Sequence, residues 1–227
     1  MSTSRINWKV RANRVLDIKS KLAKSLEMNR SYLFTGASIF DILESQKQRV
    51  KEAVQNFDSN YLLNVSEEDL IQALVDEFHL DVPKLREDEI HVADYSETPV
   101  DVSGDPMRLI FDRSEPFYIQ GNKTTIAIPF DGDPGFFKIR PQTFTLSPPS
   151  AEVVSNNLQL VYIRTDQNAE AVKRDYQNDL GQIRSHLDSL RASAGEFNRR
   201  LESLVRQTVV ERKKKLLADA GMVAALG

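Results

Sequence analysis

Between Tyr176 and Leu204, large apolar residues recur at alternating steps of four and three: Tyr176, Leu180, Ile183, Leu187, Leu190, Ala194, Phe197, Leu201 and Leu204. Only an α-helix brings residues at that spacing onto one stripe, so the spacing predicts a single long helix in the last third of the chain. The stripe runs for about four heptads, or roughly 45 Å at the helical rise. Past Leu204 the same steps land on Thr208 and Glu211, and the apolar face moves to Val205, Val209, Leu216 and Leu217, so a strict heptad seam ends there. Gly181 and Gly195 lie within the helix, where glycine lowers stability, and they predict close approach of another element. A stripe this long outruns what one strand-width of sheet covers, so part of it is expected to meet another helix. The chain's own helix from Ser38 is one candidate and a second copy of the chain is the other. Tyr176, Leu180, Ile183, Leu187, Leu190, Phe197, Leu201 and Leu204 are thus candidate oligomerisation residues, and a homo-oligomer is expected.

The rest of the chain divides by period and by charge. Residues 1–57 hold 11 basic and 5 acidic side chains, residues 58–115 hold 4 and 16, residues 116–165 hold 4 and 3, and residues 166–227 hold 11 and 9. In the basic head, Ile6, Trp8 and Val10 alternate as in a short strand, and Val15, Ile18, Leu22 and Leu26 follow at helical spacing among arginines and lysines. Ser38 with Asp41 three residues on reads as a helix start, and Phe40, Leu43, Lys47, Val50, Val54 and Phe57 carry that helix to about residue 58. Ser66 before Glu67, Glu68 and Asp69 starts another, with Leu70, Leu74 and Phe78 on its face, ending before Asp81-Val82-Pro83. The middle then changes to short alternating runs around Ile90, Val100, Leu109, Phe117 and Ile126, broken by Gly, Pro and Asp, the pattern of antiparallel strands. Gly121-Asn122 reads as a hairpin turn, because both residues tolerate positive φ. Phe136–Ile139 and Leu158–Ile163 add further strands. The fold class expected is therefore α+β: a mostly antiparallel sheet flanked by N-terminal helices and one long C-terminal helix. Residues 1–85 form a helical region, 86–165 a β region and 166–227 the long helix, together one composite domain.

Composition excludes several chemistries. With 30 Lys+Arg against 33 Asp+Glu the net charge is -3, so attraction to nucleic acid or an acidic membrane must be local. The absence of cysteine removes disulfides, thiolate nucleophiles and cysteine zinc sites at once. No apolar run approaches the roughly 20 residues of a membrane helix, and residues 1–30 lack the apolar core of a secretory signal, so a cytoplasmic location without membrane contact is expected.

Candidate sites are few. His79, His91 and His186 stand far apart without a second ligand at zinc spacing, and no metal or cofactor is expected. Gly36-Ala37-Ser38 lacks the second glycine of a nucleophile elbow. Asp131-Gly132-Asp133 offers two carboxylates that a hard cation or polar ligand would accept, with Arg140 and Tyr162 as further members of a candidate ligand pocket, but Asp, Gly, Asp and Pro in succession are first of all turn formers. Asp17-Ile18-Lys19 and Glu211-Arg212-Lys213 match the acid-x-Lys spacing of a metal-dependent nuclease, yet both fall on expected helices, so no catalytic residue is assigned. Arg206, Arg212, Lys213, Lys214 and Lys215 form a candidate nucleic-acid contact; without a base-reading motif it would be weak, non-specific and sensitive to salt.

One block resembles a known family. Ile128-Pro129-Phe130-Asp131-Gly132-Asp133-Pro134, Phe137-Lys138-Ile139-Arg140-Pro141, Thr143-Phe144 and Ser147-Pro148-Pro149, with Glu196-Phe197-Asn198 in the long helix and the ending from Arg212-Lys213, look like the N-terminal region of bacterial restriction endonuclease-like proteins. In that family a linker and a PD-(D/E)xK nuclease-type domain follow, used against foreign DNA, and here that part would begin after Gly227. The resemblance implies a non-catalytic sensing, targeting or assembly domain of a nuclease-type defence protein, whose partner is a C-terminal or separate nuclease-type effector. The alternative is a nucleic-acid-binding module that delivers DNA to a nuclease domain, and a third class is a small enzyme or ligand sensor built around Asp131, Asp133, Arg140 and Tyr162.

Overall fold

The computed structural model describes residues 31–143 and 147–226. The elements in chain order are β1 (Ser31–Tyr32), α1 (Ile39–Asn56), α2 (Ser59–Asn64), α3 (Glu67–Phe78), β2 (Lys84–Leu85), β3 (His91–Asp101), β4 (Tyr118–Asp131), β5 (Ser150–Val154), β6 (Asn157–Arg164) and α4 (Ala169–Leu226). The fold is α+β with an antiparallel sheet, helices near the start of the described chain and one long C-terminal helix. The described chain divides into two compact units, one made of residues up to 33, 85–131 and 149–182, the other of residues 34–84, 132–148 and 183 onward. Each unit therefore draws on all three regions read from the sequence.

The first unit is built on the sheet, in the order β1-β5-β6-β4-β2 with β3 also paired to β4. Ile126, Ala127, Ile128 and Phe130 of β4 are all buried, because this half of the central strand is covered on both faces and its sequence becomes a continuous apolar run. Register sets Asn122 against Arg164, Thr124 against Tyr162 and Ile126 against Leu160, and on the other side Ile126 against Val92 and Thr124 against Tyr95. These residues share one face of the sheet. The first turns of α4 belong to this unit, with Ala171 and Leu180 buried and Tyr162 Oη donating to Asp179 Oδ2 at 2.8 Å.

The second unit is helical. Ser38 Oγ accepts from Phe40 N, Asp58 Oδ1 from Tyr61 N and Ser66 Oγ from Asp69 N, so each helix starts on a side chain that satisfies an orphan amide. Glu67, Glu68 and Asp69 add favourable charge at the N-terminus of α3. Val50 and Val54 of α1, Leu62 of α2, Leu70, Ile71, Leu74 and Phe78 of α3, and Phe197, Leu201, Val205 and Val209 of α4 make one apolar core. The segment 34–39 is tied to 137–140 by four backbone hydrogen bonds, from Phe34 N to Phe137 O, Gly36 N to Lys138 O, Ile39 N to Arg140 O and Arg140 N to Ala37 O.

Several expectations are corrected. Gly121 and Asn122 are not a turn: β4 runs through them, paired on both sides. A Cβ on Gly121 would stand 2.5 Å from Val100 Cγ2 and 2.6 Å from Arg164 O, so the glycine serves close approach of the neighbouring strands. Phe136–Ile139 is not a strand, because Asp133 caps a 3₁₀ turn over Pro134–Lys138 that buries Phe136 and Phe137. Leu109 and Phe111 lie in the loop between β3 and β4 and are fully exposed. A Cβ on Gly181 would meet nothing within 4 Å, and one on Gly195 only the Arg199 guanidinium, so neither glycine marks close approach. The strand and helix expected within residues 6–26 lie outside the described residues.

Candidate functional site

An apolar groove of about 470 Å³ opens in the first unit between the exposed edge of the sheet and the start of α4. Its floor is Val92 and Tyr95 of β3 with Asn122, Thr124 and Ile126 of β4, residues that the register places on one face. Its wall is Ala169, Val172, Lys173 and Tyr176, one stripe of α4 at helical spacing. Val92 and Tyr95 are 61% and 63% exposed, unusual for large side chains facing a helix. Among the described residues β3 pairs only with β4, so its other edge is open.

The polar rim is held by paired charges. Arg164 Nε lies 2.7 Å from Asp166 Oδ1 and Arg164 Nη1 lies 3.2 Å from Asp175 Oδ2. The hydrogen bond from Arg164 holds the Asp166 carboxyl below its ordinary range, and the same bond raises Arg164 further above neutrality. Burial first, then the hydrogen bond to Asp179, pushes the Tyr162 phenol up, so it remains a protonated donor. Arg164, Asp166 and Tyr162 are thus fixed in charge across the physiological range, which suits binding and orientation rather than proton transfer. Beside them β3 and its approach carry Glu87, Asp88, Glu89, Asp94, Glu97 and Asp101, with no Lys or Arg in that stretch. At the far end of β3 the loop 102–117 is tied by Arg113, which donates to the carbonyls of Ser103, Asp105 and Arg108, and it displays Met107, Leu109 and Phe111.

The residues singled out from sequence fall in different places. Asp131 and Tyr162 belong to the first unit, and Asp133 and Arg140 to the second. Asp131 ends β4 and lies 3.9 Å from Arg86 Nε; Asp133 Oδ1 accepts from Gly135 N at 2.8 Å. Both therefore have local structural partners. Among the described residues no three His, Cys, Asp or Glu side chains cluster as metal ligands, and no helix is long and apolar enough to cross a membrane.

Of the heptad stripe, Leu180, Ile183, Leu187, Leu190, Phe197 and Leu201 are each at most 6% exposed, covered by the chain's own packing. Tyr176 lines the groove and Leu204 packs at the edge of the helical core. The basic cluster also divides. Arg206 donates to Glu68 at 2.6 and 2.9 Å and to Glu202 at 3.1 Å, and Lys213 stands 3.7 Å from Glu67. Arg212 and Lys215 instead line a cleft with Lys51 of α1, and Lys214 is exposed outside it.

The groove is legible in the sequence only in part. Val172 lies four residues before Tyr176 and extends the stripe backwards, but nothing local shows that β3 leaves Val92 and Tyr95 uncovered beside it. Comparison of the chain with protein-family models, with curated proteins and with solved structures gives no match.

Proposed function

We propose that this chain is a non-catalytic docking module which takes an extended segment of a partner protein along β3. The observation that carries the reading is the apolar groove lying beside an open strand edge, with Val92 and Tyr95 exposed on its floor. An added strand would supply main-chain hydrogen bonds to the edge and place alternate side chains into the groove. The register bulge between Val92 and Asp94, the missing donor of Pro99 and the row of acids oppose pairing with a like strand. A partner must therefore bring apolar residues on the groove face and basic residues on the opposite face, against Asp94, whose contact with Lys123 at 3.5 Å leaves its side chain 46% exposed. The resemblance of residues 129–149 to restriction endonuclease-like proteins supplies the context, a targeting, sensing or assembly part working with a nuclease-type effector.

Two synthetic peptides of equal length test the reading, one alternating Lys with Val and the other Glu with Val, followed by fluorescence anisotropy. The Lys-Val peptide is expected to bind, and Asp94→Lys is expected to weaken it about tenfold, the loss of one charge-assisted contact. Equal binding of both peptides, or of neither at millimolar concentration, would overturn it. The second reading, delivery of DNA, is favoured by the cations Lys51, Arg212 and Lys215 but lacks a continuous basic track, since Arg206 and Lys213 are already paired with acids.

A further inference from the structure

The cleft on the helical unit is a different kind of surface from the groove, and nothing in the docking reading uses it. It has a volume of about 630 Å³ and is lined by the last turns of α1 and by Thr208–Lys215 of α4. Val50 and Val54 of α1 and Val205 and Val209 of α4 are completely buried in the core. The neighbouring positions on each helix are polar. Lys51 and Gln55 stand four apart on α1, and Thr208, Arg212 and Lys215 stand four and three apart on α4, so each set lies on one helix face.

Three cations thus converge on one cleft. No ion pair holds Lys51, Arg212 or Lys215 among the described residues, whereas Arg206 and Lys213 of the same helix are engaged by Glu68, Glu202 and Glu67. The single carboxylate in the lining, Glu211, accepts from Gln207 Nε2 at 2.8 Å. Arg212 Nε is buried and has no hydrogen-bond partner. A guanidinium N–H removed from water and left unmatched is costly, so the Arg212 side chain gains from any shift that brings its guanidinium onto an anionic oxygen in the cleft. The amide side chains of Gln55 and Asn56 add donors at the same opening.

We infer that this cleft binds the phosphate groups of a small polyphosphate ligand, a di- or triphosphate, through Lys51, Arg212 and Lys215. The arrangement favours a compact polyanion over a nucleic-acid backbone, because a backbone presents evenly spaced phosphates and needs a track of cations to follow them. Here three cations gather at one opening, and Glu67, Glu68 and Glu202 pair with the neighbouring Lys213 and Arg206 and interrupt any longer track. Lys supplies a mobile point charge and Arg a planar fork, a pair of donors suited to the terminal oxygens of a polyphosphate.

Titration calorimetry of the full chain with sodium tripolyphosphate tests the assignment, at about 100 mM salt so that long-range attraction is screened. Binding in the micromolar range is expected. Lys51→Met and Lys215→Met should each weaken it about tenfold, and Lys214→Met, which removes the same charge outside the cleft, by no more than about twofold. Both cleft lysines lie at the surface, so circular dichroism of the variants should match the parent. Arg212→Lys keeps the charge and loses the fork, and it too should weaken binding. Absence of heat at millimolar tripolyphosphate, or an equal loss in Lys214→Met, would overturn the site. In a parallel arm with a single-stranded oligonucleotide, tighter binding than tripolyphosphate that is also lost in Lys214→Met would replace the small ligand by a nucleic-acid surface. Peptide binding at β3 is read in a separate assay and does not depend on either result.

Discussion

Two single residues of the helical unit, His186 and Asn198, have roles set by the groups packed around them. His186 is 4% exposed, its ring centroid 4.9 Å from that of Phe34, and its Nδ1 is buried without a hydrogen-bond partner. Burial lowers its pKa below the ordinary 6.5, so the folded chain holds the ring neutral while the unfolded chain takes up a proton. The stability gained is complete above pH 6.5 and is lost as pH falls from there toward the lowered folded value. Urea denaturation is expected to show stability falling by at most about 1.4 kcal/mol per pH unit across that window. His186→Phe should flatten the slope; an unchanged slope would show that another group titrates there. Asn198 acts differently. Its Oδ1 accepts from Leu80 N at 3.0 Å and its Nδ2 donates to Leu80 O at 2.9 Å, so one side chain closes both backbone groups after α3. Asn198→Ala leaves both without that partner, and thermal or urea denaturation should report a loss of about 1–3 kcal/mol. Neither role is visible in the sequence, where His186 and Asn198 are two polar residues of a long helix. Their partners Phe34 and Leu80 come from distant parts of the chain, and no local pattern carries that information.

Among the elements, legibility follows how local the determining contact is. The starts of α1 and α3 can be read from sequence because Ser38 and Ser66 cap amides two and three residues away. The short helix α2 escapes such a reading, although Asp58 caps it in the same way, because its six residues are too few to show a period. Strand β4 reads as two strands split at Gly121 because a glycine needed for close approach and a glycine needed for a turn look alike until the neighbouring strands are placed. Gly181 gives the reverse case: its sequence context suggests a contact, and it faces open space. A methyl group there meets nothing while the helix gains propensity, so Gly181→Ala should raise stability by about 1 kcal/mol. Calorimetry on that single variant is sufficient, and a loss of stability would mean that position 181 is covered in solution.

For the chain as a whole, the apolar stripe of α4 shows what periodicity specifies. It locates the helix and its buried face correctly; it does not say whose side chains do the burying. Ile183, Leu187 and Leu190 are covered within one chain, so Leu187→Asp with Leu190→Asp should abolish cooperative unfolding rather than yield a folded chain of lower mass. Circular dichroism with light scattering separates these outcomes, and a folded double mutant of halved mass would return the stripe to an intermolecular role. The candidate groove and the basic cleft are less legible for the same reason: each joins elements far apart in sequence, and only single walls of each can be read locally. The division into units also bears on synthesis. Each unit takes segments from the early, middle and late parts of the chain, with the chain passing between them at residues 33, 84, 131, 148 and 182. A ribosome making this protein can therefore release α1 to α3 and most of the sheet long before either unit has its complete set of segments. Until α4 emerges, Val50, Val54, Leu70 and Leu74 lack Phe197, Leu201, Val205 and Val209 as partners. The nascent chain must carry these apolar faces uncovered while more than a hundred further residues are made, a period in which chaperone protection has the greatest effect on yield.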